Sequence, residues 1–182
     1  MKTLIIIAII LVVIVAYAGM YNSLVKYRNR AREFSSQIDV QLERRTDLIP
    51  NLVETVKGYA KHEKETLSNV VNLRNSINNA SSLQDKVEAD SALTGALRQV
   101  FALAENYPDL KANQEFSQLM EELSNTENKV SYARQAYNSQ VQAYDTALQT
   151  FPRNIIAGIH GFKEMDFLQI PDADKEAPKV KF

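Results

Sequence analysis

Two histidines, His62 and His160, are the first residues to consider for metal or acid–base chemistry in this chain of 182 residues. His62 opens the stretch HEKET, which begins like the metalloprotease motif H-E-x-x-H but has Thr66 in place of the second histidine ligand. The sequence contains no cysteine to supply a thiolate ligand, a nucleophile or a disulfide. Neither histidine follows a glutamate by three residues, as the di-iron helical bundles require. We therefore predict no catalytic residue, no metal, no cofactor and no small-molecule substrate, and a protein that is not an enzyme.

Three charged residues fall on helical stripes that are otherwise apolar. Glu127 and Arg134 lie seven residues apart on the stripe of the longest predicted helix, and Arg45 continues the stripe of the first. A bundle often holds a buried or half-buried ion pair that fixes the register of its helices. We predict that Arg45, Glu127 and Arg134 form register ion pairs. The alternative, carboxylates that converge on a reactive pocket, has no supporting motif here.

The elements that position these residues are predicted to be long helices. After residue 22 the apolar residues recur every three or four positions, and no alternating strand pattern competes with them. Such spacing is typical of coiled-coil-like packing at about 20°. The fold class is therefore all-α, with an N-terminal transmembrane helix followed by a long antiparallel four-helix bundle over residues 23–151. Its helices are predicted at about 23–45, 47–78, 83–106 and 109–150.

Polar and proline-containing stretches set the boundaries between these helices. Ser81 or Ser82 can cap the third helix, and Pro108 suits the first turn of the fourth. Between the first two helices, Thr46 or Asp47 can cap a new helix whose first turn accommodates Pro50. We therefore place a helix joint at Thr46, Asp47 and Pro50 and favour a chain reversal there. A helix that only kinks at the proline is the alternative.

The segment LIIIAIILVVIVAYAGM, residues 4–20, contains no charged residue. At about 1.5 Å per residue it nearly crosses a bilayer, and we predict a single-pass transmembrane helix at 3–22 after a tail of residues 1–2. One basic residue precedes the span and four follow it closely, which places the soluble domain on the cytoplasmic side of a bacterial inner membrane. The alternative is a cleaved signal peptide with Ala16-Tyr17-Ala18 as its cleavage site, which would put the domain on the exported face.

The stretch after the bundle, residues 152–170, is predicted to be a short apolar helix and segment. Pro152 can start this helix and Gly161 can end it. Its apolar side chains are candidates for contact with a protein partner or the membrane surface. These candidates are Ile155, Ile156, Ile159, Phe162, Met165, Phe167 and Leu168. The competing interpretation is that they fold back and cover the end of the bundle. Residues 171–182 read as a flexible tail.

Several long phrases of the sequence resemble the LemA family. They include YNSLVKYRNR, IDVQLERRTDLIPNLVETVKGYA, YPDLKANQEFSQLMEELSNTEN, ARQAYNSQVQAYDT and FPRNIIAGIHGFKEMDF, and together they cover nearly the whole chain. The resemblance implies a bacterial protein with one N-terminal transmembrane helix and a four-helix bundle. It implies no accepted enzymatic activity and so transfers no catalytic residue.

The function predicted from these features is that of a membrane-anchored scaffold or adaptor, which acts through contacts with partner proteins or with copies of itself. The formal net charge of −1 argues against a nucleic-acid partner. The family resemblance leaves open a regulator or sensor of envelope protein quality control that works with a membrane protease. A third alternative is an uncharacterised hydrolase that uses carboxylate or tyrosine groups.

Overall fold

The computed structural model describes residues 1–169, and all regular secondary structure in this part of the chain is helical. Position 170 and the predicted tail at 171–182 lie outside the described residues. Six helices follow one another within residues 1–169. They are α1 Lys2–Tyr59, α2 Lys64–Asn79, α3 Leu83–Ala104, α4 Pro108–Lys111, α5 Gln114–Gln149 and α6 Arg153–His160.

The first part of α1 contains the candidate membrane span. Residues 1–19 are all exposed to solvent, although nearly all of residues 4–16 are large aliphatic side chains. Within the described residues, α1 is the one helix long and apolar enough to cross a membrane. Burial of side chains begins only near Met20, and Leu24 is the first fully buried residue. This pattern is that of a helix whose first part, before Tyr17, is largely uncovered by protein and whose second part packs in a core.

The predicted joint at Thr46, Asp47 and Pro50 is wrong, because α1 continues through all three residues to Tyr59. Pro50 has no N–H to donate to the carbonyl of Thr46, which would normally leave that carbonyl unpaired. In the structure Arg74 of α2 donates its Nε–H to the Thr46 carbonyl over 3.0 Å. The Thr46 hydroxyl donates to the carbonyl of Glu43, within the same helix, over 2.9 Å and caps nothing. The helix therefore tolerates Pro50 because a distant side chain replaces the missing donor.

The first reversal of the chain comes at residues 60–63, between α1 and α2. Two side-chain bonds fix this turn from outside. Tyr107 donates its hydroxyl to the Glu63 carboxylate over 3.1 Å, and the Asn113 amide donates to the hydroxyl of Tyr59 over 3.0 Å. The single helix predicted over 47–78 is thus the end of α1 followed by α2.

The later boundaries are set by side-chain caps. The Ser82 hydroxyl accepts from the N–H of Asp85 over 3.1 Å, so the predicted cap of α3 is confirmed. Pro108 occupies the first turn of α4. The Asn113 carboxamide oxygen then accepts from the N–H of Phe116 over 2.8 Å at the start of α5. This second cap divides the helix predicted at 109–150 into the short α4 and the long α5.

The chain forms two compact units. Within the described residues, unit 1 comprises Met1–Ser35 and Gln135–Phe167, and unit 2 comprises Ser36–Arg134 with Leu168 and Gln169. The core of unit 1 consists of the buried residues Leu24, Tyr144, Ala147, Leu148, Ile156 and Ala157. The largest fully buried apolar side chains of unit 2 are Ile38, Leu42, Ile49, Leu52, Leu93, Leu110 and Leu123. The antiparallel four-helix bundle stays a prediction.

Candidate functional site

Arg45 is the largest fully buried side chain in the described part of the protein and the centre of a polar cluster in unit 2. It lies on α1 among apolar neighbours, with an exposed fraction of 0 %. Its Nη1 donates to the Asp90 carboxylate over 2.6 Å. Its Nη2 donates to the Thr94 hydroxyl and to the Glu127 carboxylate, each over 3.0 Å. The planar guanidinium thereby joins α1 to both α3 and α5 at one level, as its fixed fork of donors allows.

Because this cluster is buried, each partner of Arg45 contributes to the stability of the fold. Asp90 is nearly as buried as Arg45, whereas the Glu127 side chain is 39 % exposed and can also be solvated by water. A buried charge costs little only while its partners are present, because the charge and its polar atoms have left water. The Nε of Arg45 is buried and makes no hydrogen bond to the described residues. The cluster thus ties three helices together and contains no group poised for covalent chemistry.

The structure brings two of the three predicted ion-pair residues together. Arg45 and Glu127 form a direct ion pair, while Arg134 is half-buried on α5 and its register role stays a prediction. Sequence reasoning missed Asp90 and Thr94. The signal was present for Asp90, which lies three residues after Val87 and so falls on the buried stripe of α3.

Beside the cluster, α3, α4 and α5 enclose an open groove of about 710 Å³. Arg45, Thr94 and Glu127 form one end of its lining. Its apolar lining consists of Leu97, Phe101, Ala104, Phe116, Met120 and Leu123. Phe101 is 55 % exposed, although aromatic rings are normally buried where the fold permits. An exposed aromatic ring over an apolar groove is typical of a contact surface for another protein.

Charges of both signs surround this groove. Arg98 Nη2 lies 4.0 Å from the Glu127 carboxylate, and Lys111 Nζ lies 2.6 Å from that of Glu105. Glu121 adds a further acidic group to the lining. These exposed pairs contribute little stability, because water screens them and the side chains lose rotamer freedom. The groove can therefore offer apolar burial with a polar rim.

Within residues 1–169, no group of three or more histidine and carboxylate side chains is arranged to hold a metal ion.

The predicted contact residues after Phe151 divide between two roles. Ile155, Ile159 and Phe167 are exposed. The other four face protein, because Ile156 and Leu168 are buried and Phe162 and Met165 pack against the core of unit 1. The prediction of one outward apolar surface is wrong for these four residues. Ile155 and Ile156 are about 100° apart around the short α6 helix, so one can face solvent while the other faces the core.

The chain after Gly161 is held along α5 by two tyrosines. Tyr144 donates its hydroxyl to the carbonyl of Lys163, and Tyr137 donates to that of Asp166, each over 3.0 Å. The tyrosines lie seven residues apart on a helix, about 10 Å. The two carbonyls lie three residues apart, also about 10 Å in an extended chain. The segment thus runs antiparallel to α5, with matching spacing.

The pKa values of three side chains around this tether are raised. Burial raises the pKa of Tyr144, and burial together with the charges of Asp166 and Asp145 raises the pKa of Tyr137. Both hydroxyls therefore remain donors at neutral pH. Burial also raises the pKa of the Asp145 carboxyl, although the N–H of Met165 donates to this group over 3.2 Å and lowers the pKa in part.

Most of the sequence matches a known protein family. The model of the LemA family matches residues 34–182, which include the Arg45 cluster, the groove and the tethered segment. The chain belongs to the LemA family. This LemA-family chain is 30 % identical over 146 residues to Protein LemA of Metamycoplasma hominis, a match that covers 78 % of the chain and 65 % of the relative. The predicted family membership is confirmed.

Two further relatives of this LemA-family chain have a different name. It is 22 % identical over 173 residues to magnetosome protein MamQ of Magnetospirillum gryphiswaldense, with 81 % of the chain and 64 % of that protein covered. It is 24 % identical over 175 residues to magnetosome protein MamQ 1 of Paramagnetospirillum magneticum, with 82 % and 64 % covered. The chain therefore spans just under two thirds of the length of each of these curated relatives.

Proposed function

We propose that this LemA-family protein is a membrane-anchored scaffold that binds other proteins through the helical surface of unit 2 and catalyses no reaction. The observation that carries the proposal is α1, a single helix of 58 residues. Its first part is apolar and exposed, as a membrane span requires, and its second part supplies Arg45 and buried apolar residues to the core. In this proposal the helices after residue 22 form an antiparallel bundle.

The location proposed is a bacterial cytoplasmic membrane, with the soluble part on the cytoplasmic side. Four basic residues, Lys26, Arg28, Arg30 and Arg32, follow the candidate span, whereas only Lys2 precedes it. Basic residues near a span favour the cytoplasmic side. Because the protein has no cysteine, single cysteines at Ala92 and Lys2 can be probed in intact cells with an impermeant thiol reagent. We expect labelling at position 2 alone. Labelling at position 92 alone would show the opposite orientation of the protein in the membrane.

The groove beside Arg45 is the surface we propose for partner binding, and its occupant is an amphipathic helix of a partner or of a second copy. Apolar burial along the groove and both charge signs at its rim suit a helix with one apolar face. The Arg45 cluster fixes the helices that form its sides, which keeps the groove preformed.

Photo-crosslinking in native membranes tests this binding surface. A benzophenone amino acid replaces Phe101 in the groove or, as the matched control, the equally aromatic Tyr132, which is 71 % exposed and outside the groove. We expect a discrete crosslinked species from position 101 that is lost with Met120→Asp and never forms from position 132. The same species from the purified protein would identify a second copy as the occupant. Equal, diffuse crosslinking from both positions would refute a specific docking groove.

A further inference from the structure

The outer face of α6 carries a short apolar stripe, Ile155 and Ile159, that is more than half exposed. Phe151, which precedes the N-cap Pro152, is 75 % exposed, and within α6 Ile155 and Ile159 are 54 % and 66 % exposed and lie four residues apart. Residues at this interval lie on one side of a helix. On the opposite side Ile156 and Ala157 are buried in the core of unit 1. The helix is therefore fixed on the protein by one face and presents large apolar side chains on the other.

The C-terminal end of α6 is held against the last turns of the candidate span. His160 Nε2 and the hydroxyl of Tyr17 are hydrogen-bonded over 2.7 Å. The rings of His160 and Tyr21 have centroids 4.7 Å apart, and those of Tyr21 and Phe162 5.7 Å apart. Tyr17 and Tyr21 stand where the uncharged stretch ends, which is the level at which tyrosines gather at the membrane–water interface. These contacts place α6 at the level of the bilayer surface when residues 3–22 span the membrane.

The charges of α6 also suit a lipid surface. The helix contains Arg153 and no acidic residue. In the following segment Lys163 is exposed, and the Glu164 carboxylate accepts from the Gln149 amide over 2.8 Å. A short helix with large apolar residues on one side and basic residues beside them is typical of helices that lie in the headgroup region of a bilayer.

We propose that α6 is an interfacial helix whose stripe of Ile155 and Ile159, together with the preceding Phe151, inserts into the bilayer that residues 3–22 span. The occupant of this face is lipid. Insertion of α6 gives unit 1 a second contact with the membrane, in addition to the span. Two contacts fix the tilt and rotation of unit 1 at the membrane surface. The inference rests on the membrane attachment stated under the proposed function and adds a site that the span alone does not predict.

Spin labels on single cysteines test the insertion in the full-length protein. The labelled variants are Ile155→Cys and Ile159→Cys, and the matched control is Val40→Cys, which replaces an aliphatic residue of similar exposure, 58 %, in unit 2. The protein is reconstituted in vesicles of phosphatidylcholine and phosphatidylglycerol and floated on a density gradient. The collision rates of each label with oxygen, which partitions into lipid, and with a water-soluble nickel chelate are then measured.

We expect an oxygen-to-nickel ratio several-fold higher at positions 155 and 159 than at position 40. If the protein floats but the three ratios are equal, α6 lies in water and this inference fails while the anchor stands. Spectral broadening at 155 and 159 that disappears on dilution with unlabelled protein would show that a second copy covers the stripe, which also overturns it. A chain that does not float with the vesicles refutes both the anchor and the interfacial helix.

Discussion

Units 1 and 2 each bury polar groups, but they do so with different chemistry. In unit 2 one guanidinium is bonded to three side chains, two of which are charged. In unit 1 two neutral tyrosine hydroxyls each donate to one backbone carbonyl. The charged cluster is interdependent, because loss of Arg45 removes the cation that compensates the Asp90 and Glu127 carboxylates. The tyrosine bonds are separate, and either can be lost without leaving a charge behind.

The largest expected effect is the loss of Arg45 from the charged cluster. Arg45→Met leaves Asp90 buried without its cation, so we expect a loss of roughly 3–5 kcal/mol in unfolding free energy. Urea unfolding in detergent, followed by circular dichroism, measures it. Arg45→Met combined with Asp90→Leu removes both charges and should recover most of the loss.

The neighbouring arginine supplies the control for this experiment. Arg44 forms an exposed ion pair with Glu122 at 3.6 Å, and Arg44→Met should cost between about 0 and 1 kcal/mol. The interdependence of the cluster would be contradicted if the Arg45 and Asp90 variant were no more stable than the Arg45 variant alone.

The second largest effect should come from loss of Arg74, whose guanidinium donates to the backbone carbonyl that Pro50 leaves without a donor. Arg74→Met removes the donor to the Thr46 carbonyl and should cost about 1.5–3 kcal/mol, as for hydrogen bonds to charged groups. Pro50→Ala restores a backbone N–H to that carbonyl. In the Pro50→Ala background we therefore expect the cost of Arg74→Met to fall by at least half in the same unfolding assay. Equal costs in both backgrounds would mean that Arg74 acts through other contacts.

The tyrosine pair should show smaller and additive effects. Tyr137→Phe and Tyr144→Phe each remove one neutral hydrogen bond and should cost about 1 kcal/mol. The double variant should lose the sum, since the two bonds share no atom. Tyr132→Phe, at an exposed ring, is the control and should change nothing measurable. A double loss far above the sum would show that the tether in unit 1 is as interdependent as the cluster in unit 2.

The smallest effect depends on pH. Burial raises the pKa of Asp145 above its ordinary value of 3.8, so the folded state binds this proton more tightly than the unfolded state. The resulting stabilisation is present below the unfolded pKa and is lost as pH rises through the folded pKa. Asp145→Asn keeps an oxygen for the Met165 N–H and removes the charge. At pH 7 we expect a gain of no more than about 0.5 kcal/mol, which disappears in acid. A gain that persists unchanged below the ordinary pKa would assign it to another cause.

The features that follow local rules were predictable from the sequence. The apolar span depends only on a continuous run of uncharged residues, and the Ser82 cap and the left-handed Gly161 at the end of α6 each depend on residues within about one helical turn. The continuation of α1 through Pro50 was not predictable in this way, because the compensating donor lies 28 residues from the carbonyl it serves. A local rule identifies the unpaired carbonyl but cannot identify its distant partner.

The candidate site shows the same limit. Arg45 and Glu127 were predicted to take part in ion pairs because they are charged residues on apolar stripes, and the same argument would have identified Asp90. The face of α6 did not follow, because a two-turn helix with Ile155, Ile156 and Ile159 offers two possible apolar sides. Packing against Leu24 and Tyr144 selects between them, and these contacts depend on the tertiary structure.

The tyrosine tether also bears on how this segment can change over evolutionary time. Both tyrosines recognise main-chain oxygens, which every amino acid provides at positions 163 and 166. Substitutions at Lys163 and Asp166 should therefore accumulate freely, while Tyr137 and Tyr144 should be retained. Insertion or deletion of a single residue between the two carbonyls would instead destroy the match in spacing. In this stretch, selection should preserve the length of the chain more strictly than its side chains.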